Sequence, residues 1–251
     1  QSENHGALLD FLFGFDMIKR KGGAKAGFNM GRMKYSEEER NEITAHFLRC
    51  TREIIEQEGI GAVSIRKVGE KAGFNSATLY LYFSDLDELI TLACMGYLEN
   101  YCRTLAADLL QVQGVYQVYL HTWKVFCRHA FANPRVFYHI FYAKHSKPLE
   151  ETVCRYYQIY PSQLYNTDGA VREMLLEGTL SARNGRLLQE MVKEGLMDSG
   201  DVELVNDLTV CYFRMLLEKG CEMAGELANE KMTGKLLQMI DFLMHRTSAY
   251  K

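Results

Sequence analysis

The chain is predicted to be all-α, with a small N-terminal helix-turn-helix unit followed by a larger helical one. Three observations carry this. Only three prolines occur in 251 residues, all between Pro134 and Pro161. Sustained β-type alternation is missing over most of the length, and apolar residues recur at three- and four-residue spacing behind good N-caps. A chain of this length suits a small module plus a larger one, and the divisions read from it are 1–33, 34–84 and 85–251.

Residues 1–33 stand apart from the rest. Ala7–Ile18 is apolar but too short to span a bilayer, and the basic residues follow it, the reverse of a signal peptide. From Lys19 to Lys34 there are six positive residues and no acid, with Gly22, Gly23, Gly27 and Gly31 loosening the backbone. Two readings stand: a flexible basic arm of the kind that enters a minor groove, or a leader outside the working protein.

Ser36, followed by Glu37, Glu38 and Glu39, is expected to cap a helix whose stripe is Ile43, Phe47, Cys50 and Ile54, ending at Gly59. Ser64 caps a short helix through Ile65, Val68 and Ala72, which Gly73 ends in a left-handed conformation. Asn75 caps the next. At about 100° per residue, Leu79 and Phe83 mark its buried face. Ala77 and Leu81 then point away from the core, Thr78 and Tyr80 flank them, and Tyr82 sits at the edge within reach of a phosphate. This is the layout of a helix-turn-helix that reads DNA.

The stretch AGFNSATLYLYFSDLDEL, with IRKVGEKAG before it, resembles the tetracycline-repressor (TetR) family of bacterial transcription regulators. The compound pattern of turn, Thr-Leu-Tyr-x-Tyr-Phe helix and capped acidic restart is specific, although it covers only about the first third of the folded chain. Two departures weaken the phosphate grip: family members often carry lysines where this chain has Ser76 and Leu86. The resemblance implies DNA contacts from Ser64, Arg66, Asn75, Ser76, Ala77, Thr78, Tyr80, Leu81 and Tyr82. It also implies a long helix from Asp85 that links head to body, and a homodimer through the terminal helices.

From Val115 to Tyr165 the composition turns aromatic. Tyr116, Tyr119, Trp123 and Phe126 share a helical face, and Phe137, Tyr138, Phe141 and Tyr142 follow Pro134. Such a stripe is read either as plain core or as the wall of a cavity. Tyr101, Tyr119, Trp123, Phe126 and Tyr142 are the candidate ligand contacts. Between Tyr116 and Tyr142 there is no Asp or Glu, so the effector is expected to be apolar or aromatic, and neutral or anionic. His121, His129, His139 and His145 lack the i, i+4 spacing of a helical metal site, so no metal is expected. Pro148–Gly169 is read as the most irregular part of the body. The last helices, within residues 202–245, carry Leu204, Leu208, Cys211, Met215 and Leu236, Met239, Ile240, Leu243. These stripes form the dimer interface or close the monomer's own core.

The net charge is -3 and the pI near 6.2. From Lys34 to Ile90, seven Lys and Arg face eleven Asp and Glu, a net of -4, so the DNA-binding head is acidic. Seven scattered cysteines without a C-x-x-C pair suit reduced thiols in the cytoplasm. No apolar run reaches membrane-spanning length. No catalytic or phosphate-loop pattern rises above chance, so the protein is expected to be no enzyme and to need no cofactor. The sequence therefore points to a ligand-responsive repressor that binds a palindromic operator as a homodimer. The alternative is a helical protein-interaction module whose head has lost DNA affinity.

Overall fold

The computed structural model describes residues 36–145, 148–160, 179–222 and 226–246. The basic arm and the segment 161–169 lie outside them. All regular elements among the described residues are helical, as predicted. We number them α1 (Glu37–Glu58), α2 (Ile65–Ala72), α3 (Leu86–Leu109), α4 (Val115–Ala132), α5 (Pro134–Tyr142), α6 (Leu149–Ile159), α7 (Leu180–Lys193), α8 (Val202–Glu222) and α9 (Glu226–Met244). A 3-10 helix spans Ser76–Leu81 between α2 and α3.

The head comprises α1, α2 and the 3-10 helix. Ser36 and Glu39 form a reciprocal capping box on α1, and Phe47, Leu48 and Ile54 are buried along its inner face. Against them pack Val68 and Ala72 from α2, with Leu79 and Phe83 from beyond the turn. The Phe47 ring meets Phe74, Tyr82 and Phe83 at 5.0, 5.6 and 6.1 Å. These contacts, two tilted and the third edge-on, stabilise the head beyond area burial alone.

α3 begins behind the N-cap Asp85, whose carboxylate accepts from the Glu88 backbone N–H at 2.7 Å. Leu89, Leu92, Leu98, Cys102 and Leu105 along it are almost fully buried, which places α3 at the centre of the molecule. α1, α4, α5 and α6 all pack on α3, and α4 is covered in turn by α9. One core runs through head and body.

The structure departs from the sequence reading in one element of the body. Pro148–Gly169 was expected to be irregular, yet Leu149–Ile159 is a helix. Pro148 stands just ahead of it and costs no hydrogen bond there. Val153, Tyr156, Tyr157 and Ile159 turn one face into the core, and that burial outweighs the loop-like flanks.

Candidate functional site

The head is built around a close helix crossing. Gly73, at φ 75° and ψ 24°, ends α2 in the left-handed conformation, and Asn75 caps the following segment by accepting from the Ala77 backbone N–H at 2.9 Å. Gly69 lies where the two segments touch. A Cβ there would stand 3.0 Å from the Phe74 carbonyl oxygen and 3.3 Å from the Ser76 backbone. Sequence reasoning passed over Gly69, although a glycine inside a short helix, four residues before the glycine that ends it, signals close approach.

Ser76–Leu81 is a 3-10 helix rather than the α-helix expected, and this moves one candidate residue. At three residues per turn, positions i and i+3 eclipse, so Tyr82 falls in line with Leu79. Leu79 is fully buried and Tyr82 is 7% exposed, with the Arg40 guanidinium 5.3 Å above its ring. Tyr82 is therefore a packing residue, which corrects its expected place at the phosphate-facing edge. Tyr80 and Leu81 are 60% and 67% exposed; Ser64, Arg66, Asn75 and Ala77 are exposed too, and Ser76 and Thr78 half-buried. Ser64 also caps α2, accepting from the Lys67 backbone N–H at 3.2 Å.

The head's cations are largely paired with its own acids. Arg66 binds Glu70 at 2.7 Å, Lys71 binds Glu53 at 2.8 Å, and Lys67 pairs with Glu58. The guanidinium of Arg40 instead donates to the Leu81 carbonyl at 3.0 Å. The head thus presents the exposed side chains of Ala77 and Leu81 together with cations that are mostly engaged in ion pairs.

Head and body are joined by more than the chain. Glu88, buried in the first turn of α3, accepts from the Ser84 backbone N–H at 2.7 Å and from its hydroxyl at 2.8 Å. Arg155 of α6 donates both to Glu88 and to the Tyr82 carbonyl, and lies 5.5 Å from the Phe83 ring. Arg52 of α1 donates to the Tyr160 hydroxyl at 3.1 Å, and Asn41 to the Gln158 carbonyl at 3.1 Å. The sequence carried no signal for Arg155, because the pairing crosses 67 residues from a segment read as loop.

A cavity of about 30 Å³ opens in the body among Tyr101, Thr122, Trp123, Phe126, Leu180, Arg183, Asn184 and Leu187. Of the candidate ligand contacts, Tyr101, Trp123 and Phe126 line it. Tyr119 and Tyr142 do not: Tyr119 is fully buried, and Tyr142 packs beneath Arg214, 5.0 Å away. Beside Thr122 of α4, the polar side chains Arg183 and Asn184 of the wall come from α7, which the sequence reading did not connect to the aromatic stripe. Trp123 Nε1 donates to Asn184 at 2.9 Å, Asn184 to Asn206 at 2.8 Å, and Asn206 to Ser181 at 2.9 Å. Arg183 brings a positive charge to the same wall.

The cysteines and histidines divide by burial. Cys50, Cys94, Cys102 and Cys127 are buried, and burial pushes the Cys94 and Cys102 thiols up to about 12, which leaves them inert at neutral pH. His121 approaches Asp108 at 3.3 Å, and His129 meets the Tyr101 ring at 6.0 Å. His139 and His145 come together with Asp87, across a helix end that an i, i+4 criterion does not reach. Burial, and then the facing His145, push His139 down to about 4.

Comparison with known proteins bears on this arrangement. The family model for bacterial regulatory proteins of the tetR family matches residues 47–92. An uncharacterised HTH-type transcriptional regulator of Haemophilus influenzae is 24% identical over 85 residues, 34% of this chain and 46% of that protein. The chain thus spans about half the length of that curated relative. Among solved structures, RolR in complex with the ligand resorcinol is similar with a TM-score of 0.53 and 15% identity, over 84% of this chain and 95% of that one. FadR of Thermus thermophilus, a TetR-family transcriptional repressor in complex with lauroyl-CoA, is similar with a TM-score of 0.49 and 12% identity, over 78% and 92% of the two chains. The family matched and the curated relative are transcription regulators, not enzymes.

Proposed function

Because residues 47–92 belong to the tetR family of bacterial regulatory proteins, we propose that this protein is a ligand-responsive transcription regulator. In this reading it is a repressor that binds a palindromic operator as a homodimer and leaves it when a small molecule occupies the body. The observation that carries the proposal is the outward face of Ala77, Tyr80 and Leu81 on a head whose core is otherwise closed. Ala77, Thr78 and Leu81 meet base edges, with thymine methyls the targets of the two apolar side chains. Ser64, Arg66, Asn75, Ser76 and Tyr80 meet phosphates. In a fluorescence anisotropy titration at two salt concentrations, Thr78→Ala weakens operator binding by about 1–3 kcal/mol at unchanged thermal stability. Wild-type affinity in that variant would refute the assignment.

The paired cations of the head favour one competing reading, a protein-interaction module without DNA affinity. The same titration separates the two. A regulator binds DNA with an affinity that falls as salt rises; an interaction module binds at neither concentration.

The effector site is assigned to the cavity beside Trp123. At about 30 Å³ it holds little more than a water, so a ring-sized molecule enters only when α7 moves away from α3 and α4. Binding thus favours a second body conformation, the condition for a ligand to shift an equilibrium. Tyr101 in the wall and Glu88 at the head joint lie on the same α3, about 20 Å apart at 1.5 Å per residue. Arg183 in the wall and the absence of acids between 116 and 142 favour neutral or anionic aromatics. Trp123 is the sole tryptophan and reports directly. Neutral probes, with resorcinol first, and anionic aromatics quench its fluorescence and release DNA, whereas quenching and release by cations alone would overturn the charge argument.

A further inference from the structure

Three side chains converge where α3 leaves the head. Asp87 lies in the first turn of α3, His139 on the last turn of α5, and His145 three residues beyond that helix. Asp87 Oδ1 stands 3.5 Å from His145 Nδ1 and 3.8 Å from His139 Nε2, and the three donor atoms all fall within 4.8 Å of one another. The carboxylate–imidazole distances are too long for good hydrogen bonds. They are close to what a shared ion requires: donors about 2.0–2.1 Å from a tetrahedral Zn²⁺ lie about 3.4 Å from each other.

A backbone contact sets the tautomer of His145. His145 Nε2 approaches the Ile140 carbonyl at 3.1 Å. A carbonyl only accepts, so Nε2 carries the proton, and Nδ1 of the neutral ring turns a lone pair towards the cluster. That is the outer-shell contact that orients metal-binding imidazoles. The Thr91 hydroxyl lies 2.8 Å from the Asp87 carbonyl, 3.0 Å from His139 Nε2 and 3.4 Å from His145 Nδ1; an entering ion takes the His139 Nε2 lone pair when that neutral ring carries its proton on Nδ1. The Thr91 oxygen marks a fourth corner, for itself or a water. The donors come from the start of α3 and from the end of α5 and the residues just beyond it, and their side chains are 13–29% exposed, enclosed yet open to an entering ion.

We propose that Asp87, His139 and His145 bind a divalent transition-metal ion of the Zn²⁺ class, pinning the end of α5 to the first turn of α3. Two imidazoles select such an ion over Mg²⁺ or Ca²⁺, which take oxygen donors. Any effect of the ion on DNA affinity rests on the regulatory function proposed above; binding of the ion does not.

The test uses the full chain, freed of metal by chelator and titrated with Co²⁺ and Zn²⁺. One Co²⁺ binds per chain with the visible bands of a tetrahedral site and without a thiolate charge-transfer band. Zn²⁺ displaces it and raises the thermal midpoint. Affinity falls at least about tenfold in His139→Gln and in His145→Gln, with far-UV circular dichroism checking the fold, and is unchanged in the Cys154→Ser, Cys211→Ser double variant. Absence of stoichiometric binding by the wild type, a thiolate band, wild-type affinity in both histidine variants, or loss of binding in the cysteine variant would each overturn the site. If a histidine variant does not fold, the wild-type Co²⁺ spectrum and the cysteine variant still decide.

Discussion

Single atoms decide how closely the two segments of the helix-turn-helix approach. Gly69 allows the Phe74 carbonyl and the Ser76 backbone to lie against α2, and both neighbours are backbone that cannot rotate aside. Gly69→Ala is therefore expected to destabilise the chain by about 1–3 kcal/mol, seen as a lower thermal midpoint, and to weaken operator binding. A variant as stable as wild type would show that the turn yields. Much of this layer was legible in the sequence: Ser36, Ser64, Asn75 and Asp85 cap where their residue types predict, and Gly73 takes the left-handed conformation only glycine adopts easily. Tyr82 was not. Its burial follows from a change of helical pitch, and one-residue differences in pitch leave no trace in a short apolar pattern.

Among the elements, the pairing of charges between α1 and α2 governs how the head meets a polyanion. Glu58 and Glu53 hold Lys67 and Lys71 across the helix interface, while Glu70 holds Arg66 along α2. These pairs are at least partly exposed, so each contributes little to stability, but each keeps a cation from phosphate. Glu58→Gln with Glu70→Gln is expected to tighten operator binding and to steepen its salt dependence by about 0.9 in log–log slope for each phosphate newly neutralised. Tighter binding at an unchanged slope would place the effect elsewhere. The acidic balance was plain from composition, whereas which acid holds which cation depends on helix crossings that the sequence does not encode locally. The same limit hid α6, whose inward face became visible only when the core it fills was in place.

For the whole molecule, the terminal helices divide the stripes that the sequence read together. On α9, Leu236 and Ile240 are fully buried in the chain's own core; on α8, Leu204, Leu208, Cys211 and Met215 face outward. A dimer would thus use α8 foremost. Leu208→Glu with Met215→Glu is expected to give a folded monomer by light scattering and to weaken operator binding roughly 100-fold, as two half-sites cease to act together; an intact dimer would move the interface elsewhere. The joint at Arg155 has a consequence for anyone who would build chimeras from this protein. A head cut from the chain after Ser84 leaves behind Glu88, which holds the Ser84 N–H, and Arg155, which holds the Tyr82 carbonyl. The DNA specificity proposed for it is therefore not transplantable along the chain alone: a recipient scaffold has to supply an α6-like helix with an arginine at the matching place, or the grafted head ends in backbone groups with nothing to hold them.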